Sequence, residues 1–340
     1  MLTIFVLLFM IVCVVFYERS VATRSYNGPA SDHFDGERFF STGTGVRAPQ
    51  DGKRRSIWVW LFTRSRGTWK RRDIVQSTPP TRVHEGVLVT YINHATVLLQ
   101  FSGLNIITDP VWSQRASPFS FMGPIRYAGP GVAFANLPPI DIVLLSHNHY
   151  DHMDLVTLRK IHNRFNPKFF CGLGNAAYLA RARIPNAVDM DWWDTQSVGK
   201  ITLTCVPARH FSARSLSDRN KTLWCGFVLG TKHGNLYFAG DTGFGSFVTD
   251  IAQRFAPVKL ALLPIGAYDP AWMMRPVHTN PDEAIEMHDI LCSTLSIGIH
   301  HGTFRLTDEP VEEPAQRIAA AKGGRDFRTP ENGSTVLIKG

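Results

Sequence analysis

Ser146-His147-Asn148-His149-Tyr150-Asp151-His152 follows directly on the apolar run Ile142-Val143-Leu144-Leu145, and the rest of the chain is read outward from this stretch. The apolar run is short enough for a buried strand. Four potential metal ligands fall within the six residues from His147 to His152. Imidazole nitrogens and a carboxylate suit Zn²⁺ or a similar borderline divalent ion, and a buried strand gives them a rigid base. A histidine-rich surface turn is the competing reading. It explains less, because ligand-type side chains clustered at a strand end form no helical stripe and carry no other charge pattern.

So short a motif cannot close two coordination spheres alone, and three later segments offer partners. Leu203-Thr204-Cys205-Val206 reads as a strand running into Pro207-Ala208-Arg209-His210. Leu236-Tyr237-Phe238-Ala239 reads as another and meets Gly240-Asp241-Thr242-Gly243, while Leu295-Ser296-Ile297-Gly298-Ile299 ends in His300-His301-Gly302. Taken singly each is a weak signal, since a lone histidine after a strand is more often structural. Taken together they repeat one pattern: strand, then ligand-type residue, then loop. Asp109, in Thr108-Asp109-Pro110 after Leu104-Asn105-Ile106-Ile107, is either a turn former before proline or a carboxylate that orients a ligand histidine from behind.

The order His147-x-His149-x-Asp151-His152, then His210, Asp241 and His300, resembles the metallo-β-lactamase fold of dinuclear metal hydrolases. Asn93-His94-Ala95-Thr96, Arg115-Ala116-Ser117-Pro118, Met122-Gly123-Pro124, Asp191-Trp192-Trp193, Leu263-Pro264-Ile265-Gly266-Ala267-Tyr268 and His278-x-Asn280-Pro281-x-Glu283-Ala284 narrow it. With them the chain resembles the N-acylphosphatidylethanolamine-hydrolysing phospholipase D family from about residue 56 to 338. The resemblance implies two Zn²⁺ ions per chain: His147, His149 and His210 on one, Asp151, His152 and His300 on the other, and Asp241 bridging. It implies catalytic duty for Asp151 and Asp241. One departure is His301, where the family pattern has Trp; it leaves open which of His300 and His301 is the ligand. His278 stands before Asn280-Pro281, which read as an N-cap and first helical residue, and is a candidate to contact phosphate or protonate a leaving group. The two HKD motifs of the other phospholipase D fold are not found.

The expected architecture is α/β, an αββα sandwich of two mixed β-sheets flanked by helices, with the metals where strands end. Helices are expected at 175–183, 281–291 and 311–321. The 340 residues divide into an anchor at 1–22, a linker at 23–55 and a hydrolase domain at 56–340. Leu2 through Tyr17 is apolar almost without interruption, and sixteen residues at ~1.5 Å give ~24 Å, a short span of a ~30 Å hydrocarbon core. A signal peptide cleaved after Ser20-Val21-Ala22 is the alternative. Without a cation ahead of the run and with Arg19 and Arg24 after it, the expectation is a single-pass N-terminal membrane anchor with a cytoplasmic-facing domain. Five widely spaced cysteines give no disulfide framework and agree with a reducing compartment.

The segment from Ile57 to Arg72 interleaves aromatics with cations, which suits a lipid headgroup layer or equally an amphipathic piece packed on the domain. A net charge of +8 favours acidic partners. The partners expected are a phospholipid substrate and a membrane, with nucleic acid disfavoured; the oligomeric state is open, and a homodimer is compatible with the sequence. The function expected is hydrolysis of an N-acylphosphatidylethanolamine-like phospholipid to N-acylethanolamine and phosphatidate. Hydrolysis of another ester, lactone or phosphodiester is the alternative on the same fold, and a non-catalytic tethered metal-binding protein is the alternative of another class.

Overall fold

The computed structural model describes residues 20–42, 57–64 and 67–339. Two seven-stranded mixed sheets face each other. In spatial order the first is β14 (Thr335–Ile338), β1 (Val87–Asn93), β2 (Thr96–Phe101), β3 (Leu104–Thr108), β4 (Ile142–Leu145), β5 (Lys168–Gly172) and β6 (Ala187–Met190). The second is β13 (Phe327–Arg328), β12 (Leu295–Ile299), β11 (Val258–Pro264), β10 (Gly234–Phe238), β9 (Gly226–Thr231), β8 (Ile201–Val206) and β7 (Thr195–Val198). Strands β3 to β6 are parallel, as are β10 to β13, and the remaining pairs are antiparallel.

The core between the sheets joins Leu99, Ile106 and Leu144 of the first to Leu203, Phe227, Phe238, Leu262 and Ile297 of the second. The parallel strands also bury their outer faces, so β4 is buried at every position and reads as a continuous apolar run. On the first sheet Leu158 and Ile161 of the helix Leu155–Phe165 and Leu179 of the helix Asn175–Arg181 pack against Val143, Leu145 and Phe169. On the second, the helices Phe247–Phe255, Pro281–Ile290 and Glu313–Ala321 cover Tyr237, Ala261 and Leu263. The four layers match the expected sandwich. The helix Pro281–Ile290 begins where Asn280 accepts from Asp282 and Glu283 backbone N–H groups and Glu283 reaches back to the Asn280 N–H.

Two expectations about the N-terminal region need correction. No helix among the described residues is long and apolar enough to cross a membrane, so the single-pass anchor and the membrane location argued from it are withdrawn; residues 1–19 of that segment, with Cys13, lie outside the described residues. The second concerns residues 23–42, expected as part of a linker, which lie on the domain. Phe34 and Phe39 are each 1% exposed and pack against each other with their rings tilted, the Thr23 N–H and hydroxyl donate to Asp218, and Tyr26 N–H donates to the Lys221 carbonyl. His33 stacks on Trp192 with its ring nitrogens 2.6 Å from Asp32 and 2.7 Å from Asp191. Burial of two phenylalanines, about 1.5–3 kcal/mol each, outweighs the polar composition that suggested a tether. Within 57–72 the two described tryptophans also turn to the domain, Trp60 donating to Asp308 and Trp69 to the Glu309 carbonyl, while Val59 and Phe62 are exposed.

Candidate metal centre

Parallel strands deliver their carboxyl ends to one edge, and the ligand-type residues follow those ends. Asp109, just after β3, fastens the motif that follows β4. Its carboxylate is fully buried and accepts from Ser146 N–H (2.8 Å), Ser146 Oγ (2.5 Å) and His152 Nδ1 (2.6 Å), tying the start of the motif to its end. The orienting role thus prevails over the simple turn. Ser146 Oγ also lies 2.9 Å from His147 Nδ1, and His210 Nδ1 donates to the Val277 carbonyl at 2.8 Å. In each of these three rings the outer nitrogen is engaged and Nε2 is left for the interior, the arrangement a metal-binding histidine needs.

Gly240, between β10 and Asp241, has φ +61°, and a Cβ there would stand 2.4 Å from the Ser146 Cβ. Only glycine lets the end of β10 press against the end of β4, which is what brings Asp241 to the histidines. Asp109, His94 and His300 also hold left-handed φ values, 32°, 47° and 59°, uncommon for residues with a side chain.

The convergence is tight. His149 Nδ1 lies 2.8 Å from His147 Nε2 and 3.2 Å from His210 Nε2. Asp151 Oδ2 is 3.3 Å from His300 Nε2 and 3.4 Å from His152 Nε2. Asp241 Oδ2 lies between the groups, 3.0 Å from His300 Nε2, 3.1 Å from His152 Nε2, 3.8 Å from His210 Nε2 and 4.0 Å from His147 Nε2. His278 is beside them, its Nδ1 3.9 Å from the same oxygen. His152 Nε2, Asp241 Oδ1 and His278 Nδ1 are buried without a hydrogen-bond partner among the described residues. Unpaired buried polar atoms are costly, and in a set made of imidazoles and carboxylates a divalent cation is the partner whose chemistry fits. The residues present therefore suit a metal.

Electrostatics divide the rings into two groups. Burial pushes the His149 pKa down to about 3 and that of His210 to about 4, and holds His147 and His278 well below the usual histidine value, so these rings are neutral donors of a lone pair. At His152 burial opposes the charge, but Asp241, Asp151 and Asp109 outweigh it and hold the pKa well up. His300 behaves alike and is raised to about 9, chiefly by Asp241 against burial. Burial likewise opposes ionisation of Asp151 and Asp241, yet the neighbouring His152 and, for both, His300 keep the two carboxyls well below their ordinary range.

All seven expected ligands and His278 thus meet in one place. His301 does not: its ring stacks on Tyr91, turned away from the cluster that His300 enters. One residue that the sequence left without a role does join, His94 from the turn between β1 and β2, with Nε2 3.0 Å from Asp151 Oδ2. Its atoms group with those of Asp151, His152 and His300 within 4.8 Å. A cavity of about 370 Å³ opens beside the cluster, walled by His278, Tyr268, Arg275, Glu283 and Arg317. Of the described cysteines, Cys171, Cys205 and Cys225 are buried free thiols and Cys292 is exposed.

The beta-lactamase superfamily domain matches residues 104–301. The chain belongs to the beta-lactamase superfamily. It is 39% identical over 254 residues, 71% of each chain, to the N-acyl-phosphatidylethanolamine-hydrolyzing phospholipase D 1 of Caenorhabditis elegans. An uncharacterized protein of Mycobacterium tuberculosis is 42% identical over 238 residues, which are 68% of this chain and 63% of that protein, so the chain spans less than two thirds of that relative. Igni18, a metallo hydrolase of the archaeon Ignicoccus hospitalis, superposes with a TM-score of 0.57 at 22% identity, covering 74% of this chain and 98% of that one. That last likeness concerns the fold alone.

Proposed function

We propose that this chain is a dinuclear zinc phosphodiesterase that hydrolyses N-acylphosphatidylethanolamine-like glycerophospholipids to N-acylethanolamine and phosphatidate. The observation that carries the reading is the convergence of Asp241 Oδ2 on nitrogens from both histidine groups, in a chain similar over 71% of its length to the worm phospholipase. His147, His149 and His210 would hold one ion, Asp151, His152 and His300 the other, and Asp241 would reach both. When bound, such a pair supplies Lewis acidity toward phosphoryl oxygens and lowers the pKa of water toward neutrality.

The chain's own residues do the positioning. Asp109 keeps the proton of His152 on Nδ1, and the Val277 carbonyl does so for His210, so each presents an Nε2 lone pair. Asp241, 3% exposed, and Asp151, 8% exposed, place negative charge beside the imidazoles. In the reaction a water oxygen forms a bond to phosphorus, the bond from phosphorus to the ethanolamine oxygen breaks, and that oxygen must gain a proton. His278, neutral and 7% exposed at the wall of the 370 Å³ cavity, is placed to take up the proton that the water loses and, as the imidazolium so formed, to give one to that oxygen. Tyr268 and the paired cations Arg275 and Arg317 line the same space and offer polar contacts to the substrate.

Elemental analysis of protein purified without chelator, joined to turnover of a panel of phospholipids, tests this reading. About two zinc ions per chain and chelator-sensitive release of N-acylethanolamine are expected. Near-zero metal after gentle purification would end the dinuclear account, and turnover confined to other esters would move the chain to another substrate class.

A further inference from the structure

His94 is the one imidazole in the cluster without a part in the reading above. It is 1% exposed, at the turn between β1 and β2, and its backbone is held from three sides: its N–H donates to Thr303 Oγ1 at 3.0 Å, and its carbonyl accepts from the Tyr91 hydroxyl at 3.1 Å and from the His300 N–H at 2.8 Å. These contacts keep a non-glycine residue at φ 47°, a conformation with an intrinsic cost, and the same turn thereby holds the backbone of His300. The ring lies 4.1 Å from that of His300 and meets Phe304 edge-on at 5.3 Å. Its Nε2 is 3.0 Å from Asp151 Oδ2, while Nδ1 is buried with no partner among the described residues.

Those two nitrogens decide what the ring does. A proton on Nδ1 would be a buried donor with nothing to receive it, whereas a proton on Nε2 is met by a carboxylate, so the stable tautomer carries the proton on Nε2. A ring protonated there has no lone pair directed at the cluster. His147, His152 and His210 have the opposite arrangement, their Nδ1 atoms engaged by Ser146, Asp109 and Val277. His300 also has an unpartnered Nδ1, but its Nε2 stands between Asp151 and Asp241, 3.3 Å and 3.0 Å away, while His94 has a hydrogen bond to Asp151 alone.

We infer that His94 is a positioning residue: through its Nε2–H it fixes the Asp151 carboxylate, and through its carbonyl it fixes His300, so that both face the second ion. The inference rests on the dinuclear reading of the site and on no assumption about the lipid. Removing such an outer contact typically weakens metal binding 10–100-fold.

The test titrates metal-free protein with Zn²⁺ against a chromophoric chelator and records the visible spectrum of the Co²⁺-substituted form, with thermal melting as the check on folding. His94→Asn tolerates the left-handed backbone, but its amide nitrogen stands near the place of Nδ1 and does not reach Asp151. His94→Gln puts a donor near the place of Nε2. The expected result is that His94→Asn weakens one of two ions 10–100-fold, leaves the other within twofold and keeps the Co²⁺ coordination number, and that His94→Gln recovers most of the loss. Unchanged affinity for both ions in His94→Asn would reduce the residue to packing and overturn the inference. Loss of one ion from both variants with an altered Co²⁺ spectrum would also overturn it, by making His94 a ligand. Wild-type protein that binds no ion at all would refute the metal centre itself, a failure visible before any variant is made.

Discussion

Asp109→Asn should separate an organising carboxylate from a ligand. The change is nearly isosteric, and the new amide oxygen can still accept the Ser146 N–H that now bonds Oδ1 at 2.8 Å. The other side chain atom becomes an NH₂ facing Ser146 Oγ and His152 Nδ1, which now approach Oδ2 at 2.5 and 2.6 Å. The serine hydroxyl can rotate to accept. The imidazole cannot, unless its proton moves to Nε2, which would then point a hydrogen into the cluster where a lone pair is required. One charge-assisted hydrogen bond is lost, worth about 1.5–3 kcal/mol, and if this falls on metal binding it corresponds to roughly 10–100-fold in affinity. Only the ion held by His152 should weaken. Asp241→Asn, in contrast, alters an oxygen close to nitrogens of both groups and should weaken both ions. Zinc titration against a competing chelator reads the two affinities. Asp109→Asn with both affinities within twofold of wild type, or the two variants behaving alike, would refute the assignment of one residue behind the ligands and one among them.

Further outcomes follow from the same geometry. Phe34→Ala should destabilise the fold by about 3–5 kcal/mol in denaturant unfolding, the usual cost of emptying a fully buried phenylalanine site, whereas a true tether would show almost no change. His33 is raised above its ordinary pKa because Asp191 and Asp32 outweigh the opposing effect of burial. Its contribution to holding residues 23–42 is therefore fully present below about pH 6.5 and fades as pH climbs through the raised value. The protection of that segment's amides, corrected for the intrinsic rise of exchange with pH, should fall over this range in wild type and stay level in His33→Ala. His278→Ala should lower kcat by about 10²–10⁴-fold with metal content unchanged, as expected of a proton donor; loss of metal in step with activity would make it a ligand instead.

The parts of the fold legible in the sequence are those where one local signal governs. Ile142–Leu145 and Leu295–Ile299 are apolar runs stopped by ligand-type residues, and both strands take those limits. The helix at Pro281 announces itself through its cap, while the helix expected from residue 311 starts at Glu313, after Pro310 and a turn. Residues 23–42 are misleading because two phenylalanines among polar neighbours carry no period; their burial depends on a surface built by Trp192, Trp224 and Leu223 far along the chain. His94 is hidden for a similar reason. A single histidine in a turn has no spacing to read, and only the assembled sheets bring that turn beneath His300. The choice between His300 and His301 likewise depends on the left-handed backbone at His300, which aims the first ring inward and leaves the second against Tyr91.

Hydrolysis of an N-acylphosphatidylethanolamine by the zinc-loaded protein in heavy-oxygen water tests the central claim most directly. Attack at phosphorus places the label in the phosphatidate and none in the N-acylethanolamine, the result expected here. Label in a freed fatty acid, with the phosphodiester intact, would contradict the account and make the chain an acyl hydrolase.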